Sequence, residues 1–212
     1  MNLEREIPLK HAAIVIAGVL LIVIAGGLAI GYSLFWNQYD SRPQYERDIE
    51  QYTKELKVDE KNLTARINLG WAYVEKGSYQ EALDQFDQVL AAQPKNPTAH
   101  FNKGVALQKM QKTDEAIAEF KKVREIDWKY VDPALQLGEL YVAKGDPDNA
   151  ISNLKLFLGI YPSSSNAHVV LGRAYELKGK KDDAIQEYQK ALKYDPSYQA
   201  AKEALNKLGI KN

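Results

Sequence analysis

Three histidines, a run of serines and two acidic pairs are the side chains in this sequence that could do chemistry. Histidines could hold a metal or move a proton, but only if they converge. His11, His100 and His168 do not: His100 and His168 stand 68 residues apart, at the same phase of a 34-residue period. A whole unit separates them, so they read as packing or capping residues. Ser163-Ser164-Ser165 follows Pro162 and has no adjacent base to activate a nucleophile. Asp114-Glu115 and Asp182-Asp183 hold equivalent places in the period, where the helix dipole favours acids in a first turn. Asn62-Leu63-Thr64 matches a glycosylation acceptor, a pattern short enough to arise by chance. With no cysteine there is no disulfide, thiolate nucleophile or zinc–thiolate site. Phosphate loops, dinucleotide glycine fingerprints and metal-ligand spacings are missing too. The sequence therefore predicts no enzyme, no cofactor, no metal and no small-molecule substrate. Its 28 basic and 28 acidic side chains give no charge excess, which argues against nucleic acid as a partner.

The period is what must position these residues. Gly70, Gly104, Gly138 and Gly172 form one series, Ala82, Ala116, Ala150 and Ala184 a second, and Phe86, Phe120, Leu154 and Tyr188 a third. A register this long, without insertion, marks a repeat architecture. Leu69 and Tyr73 share a face of one helix, while Ala82, Phe86 and Val89 trace a stripe on the next. Gly77 can end the first helix in the left-handed conformation, as can Gly145 and Gly179, while Gln111 stands there in the second unit. Glycine inside a helix costs about 1 kcal/mol against alanine. Four at one register predict a close helix approach, with the Ala82 series facing it from the other side.

Leu69, Gly70 and Tyr73, followed by Ala82, Phe86 and Pro94, resemble the tetratricopeptide (TPR) pattern at its 34-residue period. The resemblance covers about two thirds of the chain. It implies an all-α fold, a TPR α-solenoid whose helix pairs stack in a right-handed superhelix with a concave face. The four repeats are 63–96, 97–130, 131–164 and 165–198. The second departs from the pattern with Lys103 for leucine, Leu107 for tyrosine and Trp128 for the closing proline, predicting a looser junction at Trp128–Asp132.

Residues 1–11 form a polar head. Ala12–Trp36 carries no charge over 25 residues, about 37 Å of helix and enough to cross a bilayer. Tyr32, Trp36 and Tyr39 crowd its far end, as interfacial rings do. A cleaved signal peptide ending near Ala29-Ile30-Gly31 is the competing reading, but the apolar run continues past it to Trp36. We read 12–36 as a single transmembrane helix embedded in the lipid bilayer, with Gly27 and Gly31 matching a helix-pairing motif. Flanking positive charges tie, and the short head places the amino terminus inside and the repeats on the extracytoplasmic side of the cell membrane. In the connecting segment 37–62, Ser41 is expected as helix N-cap, Pro43 in the first turn and Gln44 in the capping-box position. Tyr52 and Leu56 hold the register of Phe86 and Leu90, so this reads as a half-repeat. Residues 199–212 supply a polar-backed capping helix, stopped at Gly209.

In the TPR family, the second, fifth, ninth and twelfth places of a repeat face the groove. The resemblance thereby implies a partner-binding groove of Ile67, Trp71 and Val74, then Phe101 and Val105, then Leu135 and Glu139, and Arg173, with Lys109 flanking. Trp71 and Phe101 are expected side by side. Members that grip acidic chaperone tails use lysine and asparagine where Ile67 and Trp71 stand, and Asn102 alone matches that clamp. The layout resembles single-pass TPR subunits that accompany bacterial secretion translocons or membrane-complex assembly and, less closely, mitochondrial import receptors. The expected function is a membrane-tethered scaffold holding a peptide or helix of a partner protein. A permanent structural subunit of a larger membrane assembly is the alternative.

Overall fold

Short polar side chains open several of the helices and left-handed residues close several of them. Asn62, Asn96 and Asp146 each accept a hydrogen bond from a backbone N–H three residues on, at 3.0, 3.0 and 3.2 Å. The Asn62 carboxamide of the glycosylation-like triplet is thus a helix cap. Gly77, Gly145 and Gly179 take positive φ at the turn inside their repeats, and Gln111 does the same at φ 61°. The computed structural model describes residues 41–210. The polar head, the 12–36 span and the Gly27–Gly31 motif lie outside the described residues. Among the described residues no helix is long and apolar enough to cross a membrane.

Ten helices and no strand make up the described residues: α1 (Gln44–Val58), α2 (Leu63–Lys76), α3 (Tyr79–Ala92), α4 (Pro97–Lys109), α5 (Thr113–Ile126), α6 (Asp132–Ala143), α7 (Pro147–Ile160), α8 (Ser165–Leu177), α9 (Lys181–Tyr194) and α10 (Gln199–Lys207). From α2 to α9 they pair as the two arms of successive repeats and stack as an all-helical solenoid. One apolar core runs from Val74 and Phe86 through Leu107, Phe120, Leu137 and Leu154 to Leu171, and a second gathers Tyr188, Ala201 and Leu205. No pair buries such a stripe alone, so stacking supplies the stability.

The nearest neighbours of the glycine series are the side chains of the third series. A β-carbon on Gly70 would lie 2.5 Å from the Phe86 ring, and one on Gly104 2.8 Å from Phe120. Gly138 meets Leu154 and Gly172 meets Tyr188 in the same way. Each missing side chain is the space into which the partner helix inserts a large apolar one. The alanines are themselves fully buried, and the atoms nearest each glycine belong to the residue four places later.

Two local expectations change. Helix α1 begins at Gln44, so Ser41 lies three residues before it and is no N-cap. Proline disfavours helical geometry in the residue before it, which holds Arg42 outside the helix. No residue of α1 is buried, and Tyr52 is only half-buried where its register-mate Phe86 is completely covered. At Trp128–Asp132 the helix loses its side-chain cap: Val131 takes the N-cap place with helical dihedrals. The turn nevertheless keeps its Tyr130 N–H to Asp127 carbonyl bond of 3.1 Å, matching Asn96 to Gln93 at 3.0 Å. Trp128 stands 76% exposed beside it.

Candidate partner-binding cavity

Helices α1, α2 and α4 enclose a cavity of about 200 Å³ lined by Asp48, Tyr52, Ile67, Asn68, Trp71, Ala72, Thr98 and Asn102. Trp71 is 38% exposed, and its indole N–H donates to Glu75 Oε1 at 3.1 Å, which fixes the ring on the α2 surface. Among the described residues six polar or charged side chains are buried: His100, Asn102, Glu119, Asn153, His168 and Glu187. Five of them hydrogen bond within the protein. Asn102 does not, and it lines the cavity. Among the described residues no buried side-chain N or O lacks a hydrogen-bond partner, so the Asn102 carboxamide is left to water at the cavity wall.

The sequence-derived groove residues divide. Ile67 and Trp71 line this cavity. Val74 is buried in the core, and half-buried Val105 and Leu135 pack against that core. Phe101 does not meet Trp71 in this cavity, whose α4 wall is Thr98 and Asn102. Its ring packs on Phe120 and Tyr130, centroids 5.5 and 5.3 Å away. Glu139 accepts from Asn166 Nδ2 at 3.0 Å. Lys109 is exposed in the last turn of α4. Arg173 lines a separate open cleft of about 360 Å³ with Val142, Glu176 and Leu177. Gly27 and Gly31 lie outside the described residues. Sequence reasoning missed Asn68, although Asn68 and Asn102 occupy the same place in consecutive repeats. That coincidence was the available signal.

His100 and His168 are structural staples between helices. His100 Nδ1 lies 2.5 Å from Glu119 and Nε2 lies 3.0 Å from the Pro94 carbonyl. His168 repeats this with Glu187 at 2.6 Å and the Pro162 carbonyl at 2.9 Å. Burial would raise both carboxyls. At Glu119 the bonds from His100 and Lys122 and the charge of Lys103 outweigh it and hold the group below the usual carboxylate range. At Glu187 His168 and Lys190 do the same. Among the described residues no cluster of three potential metal ligands occurs.

The tetratricopeptide repeat family profile matches residues 49–131 and 135–206. The chain belongs to the tetratricopeptide repeat family. Among solved TPR-like structures, a crystal structure of MamA is 26% identical, with a TM-score of 0.66 over 72% of this chain and 89% of that one. YrrB, described as "a TPR protein with an unusual peptide-binding site", is 27% identical, with a TM-score of 0.67 over 84% of this chain and 92% of that one. MamA from Desulfovibrio magneticus, at 20% identity and a TM-score of 0.67 over 70% and 84%, is similar in fold alone. No curated protein matches the chain. Its described residues form the all-helical solenoid of a TPR protein, and TPR repeat proteins are generally non-catalytic interaction scaffolds.

Proposed function

We propose that this TPR protein is a non-catalytic scaffold, tethered by residues 12–36, that holds a peptide or helix of a partner protein at the cavity around Trp71. The observation that carries the reading is one cavity shared by a large exposed aromatic, Trp71, and by Asn102, whose carboxamide makes no bond within the protein and stays open to solvent. A carboxamide both donates and accepts, so it matches a polypeptide backbone, while Trp71 supplies the apolar anchor typical of binding hot spots. The peptide-binding site named for YrrB supports the class of ligand. The uncharged 12–36 stretch supports the tether, the short head before it supports the extracytoplasmic placement of the repeats, and the resemblance in layout to single-pass TPR subunits supports a role in assembly or secretion at a membrane complex.

The test is site-specific photo-crosslinking in cells from position 71 of the full-length chain, with position 121 on α5 as control. A polypeptide captured from 71, absent from 121 and lost in Asn102→Leu, supports the proposal. Equal capture from both positions overturns the site. Protease added outside spheroplasts should digest the repeats, and protection there reverses the topology.

A further inference from the structure

Tyr194 stacks on His168, centroids 5.6 Å apart and planes 15° from parallel. These residues hold the thirtieth and fourth places of the last repeat. In the first repeat the same two places hold Ala92 and Arg66. Ala92 stops at its β-carbon, and a cleft of about 540 Å³ opens there, bounded by Leu63, Arg66, Gln88, Ala91 and Ala92 with Glu60 and Lys61 at its rim. The second and third repeats carry Ile126 and Ile160 at the thirtieth place, so the first alone has a small residue there.

Arg66 is held by its edges. Nη1 donates to Gln88 Oε1 at 2.5 Å and to Gln85 Oε1 at 3.3 Å, and Nη2 donates to the Glu60 carbonyl at 2.9 Å. In-plane bonds fix a guanidinium while leaving its flat face for stacking. A planar cation beside an apolar wall attracts an aromatic ring. Glu60 and Lys61 offset one another in charge, which leaves the ring as the determinant. We infer that this cleft is a second docking site, taking an aromatic side chain of a protein partner seated on Arg66 as Tyr194 is seated on His168. It shares no lining residue with the Trp71 cavity and stands independently of it.

The test uses the full-length chain labelled with ¹⁵N-arginine, its Arg66 Nε–H signal assigned by R66K. N-acetyl-tyrosinamide at tens of millimolar should shift that signal upfield through its ring current, and N-acetyl-leucinamide should not. Ala92→Tyr should fill the cleft from within, giving the same upfield shift without the probe, abolishing the response to it and raising Tm. Either an equal response to both amides or no response to either overturns the site. An Ala92→Tyr protein that folds with an unmoved Arg66 signal overturns the stacking geometry itself.

Discussion

A β-carbon placed on Gly138 would stand 2.5 Å from Cγ of Leu154. Leu154 is fully buried, and the near atom is its branch point, so it cannot swing aside as a side-chain tip could.

Gly138→Leu should therefore destabilise the repeats by about 1–3 kcal/mol, the range of overpacked cores. Helix propensity alone would make leucine the better residue by somewhat under 1 kcal/mol. Denaturant unfolding of the purified chain decides, and a higher midpoint would refute the packing account. Leu154→Ala combined with Gly138→Ala should show a coupling between the sites that distant pairs lack.

Glu119 and Glu187 have carboxyls held below their unfolded values. A depressed folded-state pKa means the native chain binds fewer protons than the unfolded one across that interval. Stability from these groups is complete above the ordinary carboxylate range and is lost as pH falls through their folded values. Glu187→Gln should accordingly flatten the acid limb of a plot of unfolding midpoint against pH, narrowing its gap to wild type as pH drops from about 6 to about 3. A gap that stays constant would remove the linkage.

Gln111 adopts φ 61° where Gly77, Gly145 and Gly179 stand in the other repeats. The left-handed region costs an ordinary residue roughly 1–2 kcal/mol, partly offset by the greater unfolded-state freedom of glycine. Gln111→Gly should raise stability by up to about 1 kcal/mol, or roughly 2–4 °C in Tm for a protein of this size. Thermal unfolding by circular dichroism checks it, and a lower Tm would contradict the strain.

Phe101 and Trp71 should respond oppositely to truncation. Phe101→Ala removes a ring packed on Phe120 and Tyr130 and should cost about 2 kcal/mol or more of stability. Trp71→Ala should leave stability within about 1 kcal/mol while weakening partner capture by about 2 kcal/mol, the scale of a hot spot. Unfolding curves and quantitative pull-downs on both variants separate the roles. Should Trp71→Ala unfold the repeats, the tryptophan is core.

The sequence by itself determined the period, the helix pairs and the turn places, because each rests on local chemistry repeated four times. Gly77 ends a helix through its own dihedral freedom, and a 34-residue register needs no three-dimensional knowledge to read. It also determined that glycines at 70, 104, 138 and 172 face something close. Which residue they face was decided only by the tertiary structure, since Phe86 and Ala82 share a helix and the roll of that helix sets which one enters the gap. The cavity divided along the same line. Spacing put Trp71 and Phe101 on neighbouring first helices, but a half-buried ring turns toward the aromatics it can cover, and Phe101 turned to Phe120 and Tyr130. That the Asn102 carboxamide opens on the cavity and makes no bond within the protein was invisible beforehand, because a side chain's partners are a property of everything packed around it, not of the residue.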